Sequence, residues 1–236
     1  MAAAAPEPKK EGLVAFDKDH YPDGLNANFL EPDAEGLEAK YAGAKGLFTD
    51  PETRDIARNV ADIIKALGDL TGKKIVDLGA GTGLFLVPLD AAVGKEGHVY
   101  AVEISPGFIE LLQKKKETEG LRNTTVARGS VTDMGLPADL QADIVLLVDV
   151  YHHIEYVQTY MKNVRKGMRK GGKLVLIDFH RIPGKIWSHP PDWVLSHVRA
   201  GQEVFKAEIE EAGFELEREI TLSNLQENYF LIFVNP

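Results

Sequence analysis

The stretch Lys74-Ile75-Val76-Asp77-Leu78-Gly79-Ala80-Gly81-Thr82-Gly83-Leu84-Phe85-Leu86-Val87 constrains this chain more than any other. An apolar run, a turn of alternating glycines and a second apolar run read as strand, tight bend and helix start. Glycines at such a bend let the backbone approach a ligand without Cβ clashes, and the helix that follows offers amide groups. The spacing is G-x-G-x-G. A dinucleotide-binding bend needs its third glycine at position 84, where Leu84 stands. Asp77, two residues before the first glycine, sits where a carboxylate would repel a phosphate and would suit an ammonium group.

The rest of the chain alternates between strand and helix patterns. Strands are expected at 74–78, 98–103, 124–128, 143–149 and 173–178, and helices near 83–93, 106–119, 155–169 and 202–212. The strands at 143–149 and 173–178 are almost wholly apolar, as strands buried on both faces of a parallel sheet are. An earlier helix is expected from Thr49 or Asp50 as cap, through Pro51 in the first turn, to Gly68, with Ile56, Val60, Ile63, Ile64 and Leu67 on one face. Ser105-Pro106 reads as a cap and first helical position, and Gly171-Gly172 as the end of a helix. Two extended stretches, 215–221 and 228–234, close the chain as a hairpin. The expected fold is therefore α/β, a doubly wound, mostly parallel seven-stranded sheet with a C-terminal antiparallel hairpin at one edge. Residues 1–12 read as a flexible lead. The segment 13–48, with its turn signals and the aromatics Phe16, Tyr21, Phe29, Tyr41 and Phe48, reads as irregular chain that packs on something, and 49–236 as the main domain.

Composition narrows the partners. Thirty-six acids against 27 bases give a formal charge of −9, which disfavours nucleic acid as a partner. Lys114-Lys115-Lys116 lies among Glu110, Glu117 and Glu119 and reads as a solvated helix face. With no cysteine there is no disulfide, thiolate nucleophile or thiolate metal site. No apolar run reaches membrane-spanning length, and the Ala- and Pro-rich start lacks a signal-peptide core; a cytoplasmic protein away from membranes is expected.

Asp77-x-Gly79-x-Gly81-x-Gly83 resembles motif I of the class I S-adenosylmethionine-dependent methyltransferases, and roughly residues 45–236 are similar to their small-molecule members. The resemblance implies S-adenosyl-L-methionine as cofactor, with segment 13–48 as a lid over it. Asp77 would lie near the ammonium, and Gly79, Gly81 and Gly83 would form the close-approach turn. Glu103, 20 residues beyond Gly83 at a strand's carboxyl end, suits both ribose hydroxyls, a task it would equally perform for NAD. Related proteins often carry Asp where Ser130 stands, facing the adenine amino group; Ser130, the Val131 amide or Asp133 would take that part. Asp149, or the Val148 carbonyl, would lie beside the methionine moiety.

For the acceptor side, Tyr151-His152-His153-Ile154 follows the fourth expected strand, and Asp178-Phe179-His180-Arg181 the fifth. His153 and His180 are candidate general bases and Tyr151 a candidate pocket wall; loop anchoring is the competing role. His152, His153, His180, His189 and His197 imitate a metal cluster, but no H-e-x-x-H-type spacing accompanies them and no metal is expected. The expected function is methyl transfer to a small O, N or S nucleophile. A protein-substrate methyltransferase, a non-catalytic S-adenosylmethionine binder and an NAD-dependent oxidoreductase are the alternatives. Oligomeric state is not encoded in these patterns.

Overall fold

The computed structural model of the protein describes Asn26, Phe29, Leu30, Glu35, Gly36 and residues 50–236. Within them lie strands β1 (Lys74–Leu78), β2 (His98–Glu103), β3 (Thr124–Arg128), β4 (Ala142–Val148), β5 (Met168–Phe179), β6 (Glu215–Ile220) and β7 (Asn228–Val234). The helices are α1 (Asp55–Arg58), α2 (Val60–Ala66), α3 (Leu86–Val93), α4 (Pro106–Glu119), α5 (Val157–Gly167), α6 (Trp193–His197) and α7 (Gln202–Glu211), with a 3₁₀ turn at Tyr151–His153. One seven-stranded sheet runs β3-β2-β1-β4-β5-β7-β6. Its first five strands are parallel, and β7 pairs antiparallel with both β5 and β6. The expected doubly wound sheet with an antiparallel C-terminal hairpin is what forms.

Two-residue periodicity explains the layers. Val76, Val145, Leu147, Leu174, Leu176, Leu231 and Phe233 point to one face, where Val157, Met161 and Val164 of α5 and Phe205 and Ile209 of α7 meet them. Their neighbours Ile75, Ile144, Leu146, Val175, Ile177, Phe230 and Ile232 point to the other, against Ile63 of α2 and Leu89 and Val93 of α3. Both faces are thus covered, which is why the central strands read as unbroken apolar runs. The outermost strand β6 is Glu-Leu-Glu-Arg-Glu-Ile and largely exposed, a charged edge that discourages pairing with another chain.

Three boundaries differ from expectation, each for a local reason. The helix expected from Asp50 starts only at Asp55, because residues 51–53 form a turn and Arg54 is extended (φ −129°, ψ 121°). It then breaks at Asn59, whose amide donates to the carbonyls of Asp55 (2.7 Å) and Asn224 (3.0 Å). Contacts to the 224–227 loop override helical continuity there. The helix expected at 83 begins at Leu86, since the glycine bend runs on, with Gly83 N–H donating to Ala80 O (2.8 Å). Gly171-Gly172 do not end α5, which stops at Gly167; they lie within β5, bonded to the backbone of Asn235 (2.7 and 2.9 Å).

The chain reverses its winding between β1 and β4: β2 and β3 lie to one side of β1, β4 and β5 to the other. In open α/β sheets, the crevice outside the carboxyl ends at such a switch point is where ligands bind.

Candidate active site

A cavity opens at that switch point. Asp77, Leu78, Gly79, Ala80, Gly81 and Thr82 from the end of β1 line it, with Val102, Glu103 and Ile104 after β2. Gly129, Ser130 and Val131 after β3 and Val148, Asp149 and Val150 after β4 complete the strand-end rim. Arg54, Phe108, His153, Glu155 and Tyr160 add side walls. Of the segment 13–48, only Asn26, Phe29, Leu30, Glu35 and Gly36 fall within the described residues, and the lead 1–12 lies wholly outside them. Asn26 and Phe29 reach the cavity. The Asn26 amide donates to His153 O and to Glu155 Oε1, both at 2.9 Å, and the Phe29 ring meets His153 edge-on at 5.0 Å.

The three glycines of the bend do three different things. All have left-handed backbones, with φ of 73°, 52° and 73°. A Cβ on Gly79 would lie 2.2 Å from Val150 Cγ2, so this glycine allows the loop after β4 to close over the bend. A Cβ on Gly81 would meet nothing nearer than 3.9 Å; this is the glycine whose missing side chain leaves the cavity open. Gly83 does not line the cavity: a Cβ there would strike Leu112 Cδ2 at 2.9 Å, and its absence lets α4 pack close.

The bend's acids differ as sharply. Glu103 accepts backbone N–H bonds from Gly81 (2.9 Å) on one oxygen and from Ile104 (2.7 Å) and Ser105 (3.0 Å) on the other. It therefore fixes the glycine bend while facing the cavity. Burial raises its carboxyl above the ordinary range, opposed by those three N–H groups. Asp77 has a buried Oδ2 with no hydrogen-bond partner, and burial together with the Glu103 charge pushes its carboxyl up to about 7. An orphaned carboxylate oxygen on a cavity wall calls for a donor from a ligand. That oxygen and the empty space beside Gly81 fit a nucleoside bearing an ammonium group.

Ser130 and Val131 both line the cavity, whereas Asp133 turns away: its Oδ1 accepts the Gly135 N–H at 2.7 Å and its carbonyl accepts the Ser130 N–H at 2.8 Å. Asp149 sits at the tip of β4 in a left-handed conformation (φ 53°), rare for a residue with a side chain. Its carboxylate pairs with Arg54 and accepts from the Asn228 amide. Burial pushes the group up, and the Arg54 guanidinium pulls it back. Arg54 is a cavity residue the sequence did not flag. It looked like part of a helix's first turn, and no local pattern signals an extended residue whose partner lies 95 positions away.

Of the three candidate catalytic residues, the structure places one at the cavity. His153 lines it; its Nδ1 is buried without a partner, and burial beside two other imidazoles holds its pKa well below the usual value. Tyr151 is wholly buried behind the rim, packed on Phe205 (4.9 Å between ring centres) with the Arg199 guanidinium 5.4 Å from its own ring. It is not a cavity wall. His180 also lies away, its ring 5.7 Å from that of Tyr229 and its N–H on Glu227 O at 2.9 Å. Arg181 is spent on the carbonyls of Val198 (2.7 Å) and Leu195 (3.1 Å). His152 contacts Asp178 Oδ1 through its Nδ1 at 2.8 Å, and Asp178 also accepts the N–H groups of Phe179 and His152.

The sheet order with β7 inserted antiparallel, and the cavity at its switch point, match the class I methyltransferase fold of solved structures. Residues 76–176 match the family model described as a methyltransferase domain. The chain is 29% identical over 119 residues to a demethylmenaquinone methyltransferase of Lactococcus lactis, covering 50% of this chain and 46% of that protein. It is 34% identical over 83 residues to the aklanonic acid methyltransferase DauC of Streptomyces, covering 35% and 36%. The matched stretch thus spans half or less of these relatives. Among solved structures, a SAM-dependent methyltransferase from Aquifex aeolicus superposes with a TM-score of 0.69 over 87% of this chain and all of that one, at 18% identity, a likeness of fold.

Proposed function

We propose that this protein transfers the methyl group of S-adenosylmethionine to a small nucleophilic molecule. The observation that carries the proposal is the unpartnered Asp77 oxygen beside the open Gly81 side of the bend. Asp77 would receive the cofactor's ammonium, the turn amides its carboxylate, Glu103 the ribose hydroxyls, and Ser130 or the Val131 amide the adenine. Asp149, anchored by Arg54, would border the methionine end. A lid role for the segment 13–48 is supported by Asn26 and Phe29, which reach the cavity beside His153.

In the transfer, the acceptor's lone pair forms a bond to the methyl carbon as the carbon–sulfur bond breaks in line with it. S-adenosylhomocysteine leaves as the neutral thioether. Positive charge on sulfur is quenched in the transition state, so alignment and exclusion of water are the protein's main contributions. Where the acceptor is a hydroxyl or protonated amine, His153 would take its proton, a role supported by its imidazole being held neutral at pH 7. A thiolate or neutral amine needs no base. Two features support a small acceptor: the names of the related enzymes specify small molecules, and the cavity is walled by Phe29, Phe108 and Tyr160.

Calorimetry with S-adenosylmethionine and S-adenosylhomocysteine tests binding, and heat absent from both titrations overturns the proposal. Glu103→Ala should lower cofactor affinity by at least tenfold, since a contact to a charged group contributes roughly 1.5–3 kcal/mol. His153→Ala should lower turnover of labelled cofactor across an acceptor panel more than it lowers binding.

A further inference from the structure

The histidines scattered through the sequence do not stay scattered. The 3₁₀ turn after β4 supplies His152 and His153, and the last residue of α6 supplies His197. Their ring centres form a triangle with sides of 4.3, 5.0 and 5.1 Å, and one nitrogen from each lies within 4.8 Å of the others. We propose that His152, His153 and His197 bind one divalent transition-metal ion, of which Zn²⁺ is the best fit, leaving a fourth coordination position open.

Three observations carry this. The first is geometric. With zinc–nitrogen bonds of about 2.0–2.1 Å at tetrahedral angles, imidazole ring centres lie roughly 5 Å apart. Two of the observed sides match and the His152–His153 side, at 4.3 Å, is shorter, so bringing the nitrogens to bonding distance asks for rotation and a small separation of those two rings. The second is the outer contact. His152 Nδ1 is held on the buried carboxylate of Asp178 at 2.8 Å, which leaves Nε2 for a metal, and a carboxylate on the far nitrogen orients and strengthens a ligating histidine. The third is an unmet need: His153 Nδ1 is buried with no hydrogen-bond partner, although buried polar atoms are ordinarily paired. The surrounding charge permits a cation. Of the nearby guanidinium groups, Arg199 is paired with Glu208 and Arg54 with Asp149, so neither is an uncompensated positive charge. Three neutral imidazoles without thiolate or additional carboxylate ligands suit zinc, nickel, cobalt or copper over calcium or magnesium.

His153 also lines the cavity. The open position would take an oxygen, nitrogen or sulfur of the acceptor, positioning it through the metal, a use that rests on the methyl-transfer reading, whereas the metal site itself does not. In that state His153 is a ligand and no longer a free base.

The test uses the full chain without an affinity tag, stripped with a chelator and titrated with Zn²⁺ against a chromophoric competitor. One Zn²⁺ per chain is expected. His197→Ala, at a partly exposed position, should weaken binding at least tenfold, and Asp178→Asn by about 10–100-fold. Because Asp178 is buried and its variant is at risk of misfolding, Co²⁺ added to the unaltered protein gives an independent reading. It should produce the visible absorption of a four-coordinate ion. It should also quench Trp193, whose indole stacks on His197 at 4.4 Å, in a Trp187→Phe background. No stoichiometric binding, or binding that His197→Ala leaves unchanged, overturns the inference. Cofactor calorimetry on the same samples separates the two proposals: cofactor without metal removes only this one, and metal without cofactor removes only methyl transfer.

Discussion

Gly79 and Gly81 lie two residues apart with similar backbones, yet substitution should separate them. Alanine at Gly79 places a methyl 2.2 Å from Val150 Cγ2 in a left-handed backbone, so the loop after β4 must move. The expected cost is about 2–4 kcal/mol, from overpacking plus the unfavourable φ. Alanine at Gly81 has room and bears only the backbone penalty of roughly 1–2 kcal/mol, but its methyl enters the cavity. Thermal melts with cofactor calorimetry should show Gly79→Ala as the larger loss of stability and Gly81→Ala as the larger loss of affinity relative to stability. Equal behaviour would mean that the bend is not the ligand's cradle. Gly83→Ala should act on α4 packing. One sequence signature therefore encodes a loop closure, a cavity wall and a helix contact, and spacing alone does not tell them apart.

At the scale of elements, the C-terminal half is held together by a buried ion pair. Arg199, between α6 and α7, makes a bidentate contact with Glu208 of α7 (2.7 and 2.6 Å), with its guanidinium 4.4 Å from the Phe205 ring centre. Both side chains are sealed from solvent. Removing one partner leaves the other charge buried, so Arg199→Met should cost about 3–5 kcal/mol, and Arg199→Met with Glu208→Leu much less than the sum of the singles. Urea unfolding of the double-mutant cycle checks this. Additivity would mean that the pair is uncoupled. Element existence was legible in the sequence because two-residue alternation and helical spacing survive in Ile75 to Leu78, Ile144 to Leu147 and Val157 to Val164. The broken start of α1 and the early start of β5 were not, because they are set by Asn59 and Asn235 bonding to distant backbone. The strand-end acids were legible at the site, since topology brings carboxyl ends together. Tyr151 and His180 were misread because position after a strand does not say which face a side chain takes, and here one is sealed in the core and the other sits on Tyr229.

For the molecule as a whole, buried acids set the response to pH. Asp77 is held at about 7 in the fold against about 3.9 in an unfolded chain. A raised folded value means the native state keeps its proton longer. The associated stability is present below about pH 4 and lost as pH climbs through about 7, an amount of order 4 kcal/mol at full shift. Asp143, pushed up by burial but lowered overall by the Lys74 backbone N–H and the Arg169 guanidinium, works in the opposite sense at acidic pH. The clean measurement is a comparison: melting temperatures of the ligand-free protein and of Asp77→Asn between pH 4 and 8. The variant should lose the downward slope that Asp77 contributes; parallel curves would mean that Asp77 titrates normally. A cationic ligand needs the ionised carboxylate, so S-adenosylmethionine affinity should strengthen as pH rises through about 7, and Asp77→Asn should flatten that dependence.

The Asp149 carboxylate joins three stretches that are far apart along the chain, receiving Arg54 from before the first strand and Asn228 from the last. It works as a knot at the mouth of the binding crevice. Loosening either tail of the domain should consequently be felt first at the ligand, before the sheet gives way. Limited proteolysis or mild denaturant should then abolish cofactor binding while the central strands still resist hydrogen exchange.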